Sequence, residues 1–127
     1  WRIAHGAPAA DDAALMAELR QRDITLDICP TSNLQAGIGR DDHAAPLPRL
    51  IRAGVPVTIN TDDRTVSDLT LVREMERAVR KLRVSIEEIV AMTRHAHRAA
   101  FLHHDEPVRA RLQERFETWV AQNPPPS

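Results

Sequence analysis

Two adjacent carboxylates, Asp62 and Asp63, follow the short run Val55-Pro56-Val57-Thr58-Ile59-Asn60-Thr61, and Arg64 comes directly after them. Neighbouring carboxylates repel, so keeping both ionised in a shielded pocket calls for a cation or a donor that offsets the charge. That chemistry suits a bound cation or a hydrogen-bond donor held against the pair. The structural alternative is equally open at this point: an aspartate after a strand commonly caps the next helix while its neighbour is solvated. Other groups could join the pair. His5 ends the run Arg2-Ile3-Ala4, and Cys29-Pro30-Thr31-Ser32-Asn33 follows Thr25-Leu26-Asp27-Ile28. Taken singly, His5 reads as a hydrogen-bonded loop histidine, Cys29 as a small buried residue, and Ser32 lacks the Gly-x-Ser-x-Gly form of a nucleophile elbow. His95 and His97 stand two apart on a helix and point away from each other, so they read as packing or surface residues, as do His103 and His104.

A parallel sheet would bring the first three groups together. Strands are expected at Arg2–His5, Thr25–Ile28 and Val57–Ile59, the last a short β-branched run of the kind buried between helices. Asp11 and Asp12 offer an N-cap to a helix at about Asp12–Arg22, with Ala14, Leu15, Leu19 and the stem of Arg22 as its stripe. Cys29–Asn33 breaks the second strand with turn-forming residues. A polar loop with Gly37, Gly39, Asp41, Asp42 and His43 then leads to a short helix, Pro46–Arg52, closed by Gly54. The next helix is expected over Ser67–Leu82, burying Leu69, Val72, Met75, Val79 and Leu82. Another begins at Ser85, whose capping box is completed by Glu88, and buries Ile86, Ile89, Val90, Thr93 and Ala96. Glu106–Gln122 is a charged amphipathic helix with Leu112, Phe116, Trp119 and Val120 as its apolar side. Residues 1–122 thus form one domain and residues 123–127 a disordered Pro-rich tail.

Three successive strand-loop-helix units point to an α/β fold with a parallel sheet, either open and doubly wound or part of a barrel. A complete (β/α)₈ barrel takes about 250 residues, roughly twice the 127 present, so only a sector is expected. In either fold His5, Cys29–Asn33 and Asn60–Asp63 lie past carboxyl ends of strands and share one rim, where such folds place their chemistry. The chain starts abruptly at Trp1, inside a strand and without a cap, and upstream residues are expected.

Composition narrows the partners. The 17 basic and 18 acidic residues nearly cancel and are interspersed, whereas a nucleic-acid surface shows a basic excess on one face. Aromatic residues make up 3% of the chain, too few for a base-stacking platform. No long apolar run or signal peptide suggests a membrane, and one cysteine, Cys29, excludes a disulfide framework or a cysteine-rich zinc site, making the cytoplasm the expected location. Oligomeric state is not legible.

The three strand-end motifs have a resemblance in common. Arg2-Ile3-Ala4-His5-Gly6, Cys29-Pro30-Thr31-Ser32-Asn33 and Val57-Thr58-Ile59-Asn60-Thr61-Asp62-Asp63, in that order and spacing, resemble the last three strands of the adenosine deaminase family. The similarity runs on through Arg73-Glu74-Met75 and Ala99-Ala100-Phe101-Leu102. Thr61-Asp62-Asp63-Arg64 with Ser67 resembles the bacterial branch that has Arg where others have Pro. The resemblance implies the C-terminal sector of a (β/α)₈ barrel, its last three strand-helix units and terminal helices. It also implies a zinc enzyme that replaces the 6-amino group of adenosine with oxygen by adding a metal-bound hydroxide to C6. By the same resemblance His5 orients that hydroxide and stabilises charge, Asp62 is catalytic and ligates the metal, and Asp63 binds the substrate purine near N7.

Departures carry expectations too. Ala4 stands where the family usually has Gly, which is tolerable if the backbone there is not left-handed. The family's His-x-His, its third metal-binding histidine and its general-acid glutamate would all lie upstream of Trp1. With one zinc ligand of four, these residues alone are expected to be inactive and to hold zinc weakly, since zinc needs about three protein ligands. Exposed strand edges and partly packed Ile3, Ile28 and Ile59, taken as barrel-interior residues, are expected to promote association. A cytidine-deaminase site would need a Cys-x-x-Cys motif that is not here. The alternatives are a small open α/β binding module using Asp62 and Asp63 for a Mg-linked ligand, or a non-functional truncated gene product.

Overall fold

Strands β1 (Arg2–Ala4), β2 (Thr25–Ile28) and β3 (Val57–Ile59) pair in parallel in the order β1-β2-β3. The structure, a computed structural model, describes residues 1–42, 44–102 and 104–124. All three strands fall where the sequence predicts them. The ladder continues one residue past two of them: His5 N–H donates to the Asp27 carbonyl at 2.9 Å and Asn60 N–H to the Ile28 carbonyl at 2.9 Å. This fixes the backbone at His5 and Asn60 at the same end of the sheet.

The two faces of the sheet differ in chemistry. Leu26 pairs in register with Val57 and Ile28 with Ile59, and all four are buried in the core. They meet Leu19 of α1 (Ala13–Gln21), Leu47 and Leu50 of α3 (Pro46–Arg52), Ala78 of α5 (Leu71–Arg80) and Met92 of α6 (Ile86–Ala99). Each of the valine, leucine, isoleucine and methionine side chains gains about 1.5–3 kcal/mol from burial. Successive strand residues alternate faces, so Arg2, Asp27 and Thr58 lie on the other side. There they form a ladder across the sheet: Arg2 Nη2 donates to Asp27 Oδ2 at 2.8 Å and Thr58 Oγ1 to Asp27 Oδ1 at 2.6 Å. Ile28 and Ile59 therefore face the helices and are fully packed, contrary to the expectation that they fill a barrel interior. Among the three isoleucines only Ile3, at 45% exposure on edge strand β1, keeps an open flank. A three-residue strand shows alternation without saying which set the helices cover.

The helices begin where the caps require. Asp12 accepts from Ala14 N–H and Leu15 N–H at 2.9 and 3.0 Å, and Ser85 and Glu88 form the predicted reciprocal capping box at 3.1 and 2.8 Å. After α3, Gly54 at φ 74° and Val55 donate to the carbonyls of Ile51 and Leu50, closing the helix in a Schellman turn that needs the left-handed conformation. Asp105 caps α7 (Glu106–Gln122), which docks on α6 through the His97–Phe116 ring pair and the Arg94–Glu117 ion pair.

Three local expectations change. Cys29–Asn33 does not simply turn: Pro30 opens a short helix, α2 (Pro30–Gln35), because proline is pre-set for a first helical position. The helix expected over Ser67–Leu82 starts later, as α5 at Leu71 capped by Thr70, and a separate short helix, α4 (Arg64–Ser67), precedes it and ends at Asp68, left-handed at φ 45°. Its buried stripe is Glu74, Ala78 and Leu82, while Val72 is 72% exposed. On α6 the buried positions are Met92 and His95, with Ile89 packed against the core and Ile86 exposed. In both helices a buried polar residue with a hydrogen-bond partner takes an inward position that apolar counting gives to its neighbours. His95 is one of them, bonded to Thr25 Oγ1 at 2.8 Å at the amino end of β2. The readings made on His43, His103 and the last residues of the tail lie outside the described residues. Among the described residues no helix is long and apolar enough to cross a membrane.

Candidate active-site rim

Beyond β1 and β3 the chain turns sharply in the same manner. His5 sits at φ 61° and Asp62 at φ 57°, both left-handed, a conformation that Asp and His tolerate better than most side chains. Gly6 continues the first turn at φ 77°, and a Cβ there would lie 2.9 Å from Leu26 Cδ2, so glycine is required on two counts. Ala4 is not among the left-handed residues, which is the condition for tolerating it there. Asp23, Asp68 and Arg83 share the conformation at ordinary turns, so the backbone alone does not mark a site. The side chains do.

His5 Nε2 stands 3.7 Å from Asp62 Oδ2, and the same oxygen accepts a hydrogen bond from Ser32 Oγ at 2.7 Å. On the other side of the ring, His5 Nδ1 lies 3.0 Å from Asn33 Oδ1. An amide oxygen only accepts, so Nδ1 carries the proton and donates. In the neutral ring Nε2 then presents a lone pair towards a carboxylate oxygen, an arrangement completed by a donor or a cation between them. His5 and Asp62 have side chains 44% and 43% exposed, so the rim is open on one side.

Asp63 behaves differently from its neighbour. Its Oδ1 accepts from Thr65 N–H at 2.8 Å and Val66 N–H at 3.0 Å, capping α4, so the structural alternative holds for this residue. Its second carboxylate oxygen is left for other partners. The rim thus sets two hydrogen-bonded pairs side by side, Ser32 with Asp62 and His5 with Asn33, and turns part of Asp63 towards α4. Among the described residues no group of three or more His, Cys, Asp or Glu side chains is placed to hold a metal.

Behind the rim lies Glu74, fully buried, whose carboxyl oxygens accept from Thr31 N–H at 2.7 Å and Thr31 Oγ1 at 2.6 Å. Sequence reasoning saw Glu74 only inside a motif and gave Asn33 no role. The pairing of Glu74 with Thr31 crosses 43 positions, beyond any local pattern. Cys29 is buried as expected, and its thiol is pushed up to about 11 by that burial and by the charges of Asp62, Glu74 and Asp27. A thiol so far above neutral pH stays protonated and is no nucleophile.

A parallel β/α unit with polar groups gathered past its strand ends belongs with the α/β enzymes that build their sites on that rim. The family model for adenosine deaminase matches residues 1–119, and the chain belongs to that family of deaminase-type hydrolases. It is 54% identical over 79 residues to an aminodeoxyfutalosine deaminase of Acidothermus cellulolyticus, covering 62% of this chain and 22% of that one. To an adenosine deaminase of Enterococcus faecalis it is 39% identical over 105 residues, 83% of this chain and 31% of the relative. The crystal structure of an adenine deaminase from Arthrobacter aurescens superposes with a TM-score of 0.81 at 27% identity, covering 94% of this chain and 36% of that one. The chain therefore spans about a quarter to a third of the length of the proteins it matches.

Proposed function

We propose that the complete protein is a zinc-dependent hydrolase that deaminates a 6-aminopurine nucleoside, with adenosine giving inosine and ammonia, and that residues 1–122 are the C-terminal sector of its (β/α)₈ barrel. The observation that carries this is the His5–Asp62 pair, 3.7 Å apart past the carboxyl ends of two parallel strands. Family membership favours it over the open Mg-binding module. The donor set fits zinc in part: Asp62 supplies a carboxylate oxygen and the facing His5 lone pair stands across the same gap, while the further ligands zinc requires come from the rest of the protein. Zinc, when bound, is a Lewis acid that brings the pKa of water from about 15.7 to ~7.

The chain's own residues do the following. Asp62 would hold the metal, kept in orientation by the Ser32 hydroxyl. His5 offers Nε2 to the proton of the attacking water and steadies the charge that develops as the C6–O bond forms and the C6–N bond breaks, a role worth about 10²–10⁴-fold. Asp63 contacts the purine through the oxygen its helix cap leaves over. The open side of the rim is closed in the complete barrel, which strengthens each of these interactions by excluding water.

The names of the relatives set the competitors, so the test is ammonia release by the complete protein from adenosine, adenine and aminodeoxyfutalosine in parallel. Adenosine is expected to give the highest kcat/KM, and Asp62→Ala to abolish it. Release from one of the other two alone moves the substrate within the family; release from none removes the deaminase reading.

A further inference from the structure

Three consecutive residues of α2 each bond to a different distant residue. Thr31 is held by the buried carboxyl of Glu74, Ser32 Oγ donates to Asp62, and Asn33 Oδ1 accepts from His5 Nδ1. The two ends of this series belong to different elements, Glu74 to α5 and His5 to the turn after β1. A helix of this length would not hold its shape alone. Pro30 starts it, and Glu74 satisfies the Thr31 N–H and hydroxyl at its first turn, so its place in the fold is set by α5. Asn33 is itself 6% exposed, which leaves its amide little freedom.

We propose that Asn33 is a positioning residue that fixes the His5 ring with its proton on Nδ1 and Nε2 facing Asp62, from a helix clamped by Glu74. The proposal rests on the deaminase reading only for what Nε2 does next; the orientation itself is a property of the rim. The ring nitrogens of a histidine are told apart by the bond the other one makes. Here a neutral amide does the sorting. It accepts one proton and adds no second negative charge beside Asp62. Without it, the Nε2–H form would point a donor at Asp62 Oδ2 and occupy the lone pair that the chemistry needs. Partners of this outer kind typically change activity by about 10–100-fold when removed.

The test is ¹⁵N imidazole spectroscopy of the complete protein, with the His5 signals assigned by their loss in His5→Gln. The wild-type protein is expected to show the Nδ1–H tautomer. Asn33→Asp keeps an acceptor at the same place and keeps that signature. Asn33→Leu has none, and is expected to shift the ring towards Nε2–H and lower kcat by about 10–100-fold with KM changing far less. An Nε2–H ring in the wild-type protein overturns the proposal, and that result does not depend on any Asn33 variant folding. So does an unchanged signature in Asn33→Leu. Absence of deamination with the expected spectra would refute the proposed reaction and leave the positioning role of Asn33 supported.

Discussion

Removing the Glu74 carboxyl should destabilise the protein far more than a helix-surface glutamate would. The side chain has 0% exposure, and its oxygens take two bonds from Thr31, at 2.7 Å from the backbone N–H and 2.6 Å from the hydroxyl. In Glu74→Ala both donors lose their acceptor inside the protein, at about 1–3 kcal/mol each, for ~2–6 kcal/mol in all. Relief of the desolvated carboxyl offsets part of this, so a loss of about 2–4 kcal/mol is expected. Glu74→Gln keeps the shape and one acceptor but turns an amide N–H towards a donor, and should cost about 1–3 kcal/mol. Urea unfolding of the complete protein measures both. With a slope of about 2 kcal/mol/M, Glu74→Ala moves the midpoint down by about 1–2 M. Thr31→Val removes the hydroxyl alone, and the double variant should be less destabilised than the sum of the two singles, since the residues share a bond. A Glu74→Ala midpoint equal to that of the wild-type protein, or strict additivity in the cycle, would refute the reasoning.

Other outcomes follow from single contacts. His95 is buried against Thr25, and that burial together with the Arg98 charge lowers its pKa from 6.5. The unfolded chain therefore binds the proton more readily, and stability is complete above about pH 6.5 and declines as pH falls through the window down to the lower folded value; unfolding midpoints against pH check this, and an equally steep decline in His95→Gln counts against it. Ser85→Ala removes one half of the capping box on α6 and should cost about 1 kcal/mol in chemical denaturation, with a cost near zero opposing the role assigned to the cap. Residues 1–127 alone offer zinc Asp62 and the facing His5, and titration calorimetry is expected to find an affinity well short of a complete site, whose apparent binding energy is about 10–16 kcal/mol. One tight zinc per chain would contradict that expectation.

Features of the chain that depend on neighbours in sequence were legible, and those set by distant partners were not. Short runs ending in polar or turn-forming residues located all three strands, and Ser85 with Glu88 announced the start of α6 within four residues. The rim was legible for the same reason, because a parallel sheet places every strand end on one side. Opaque to a linear reading were the facing of Ile28 and Ile59 and the inward turn of Glu74 and His95, each decided by a partner many residues away, whereas the helix at Pro30–Gln35 had a local signal in Pro30 that the turn-forming residues beside it masked. The division of labour between the two aspartates was opaque as well. The cap falls to Asp63 at the start of α4, while Asp62 turns to the rim and faces His5.

Cys29, the lone thiol of these 127 residues, stands immediately before the helix that carries Ser32 and Asn33. With 5% exposure and a thiol pushed up to about 11, it is shielded from alkylating reagents while that helix is seated. Each labelling event then records an opening of this corner of the fold. When closing is fast relative to the reagent, the labelling rate measures the population of open molecules, and its response to urea tells a local fraying from global unfolding. The sequence thus carries a clock for the integrity of its own rim, readable by mass spectrometry without any added probe site.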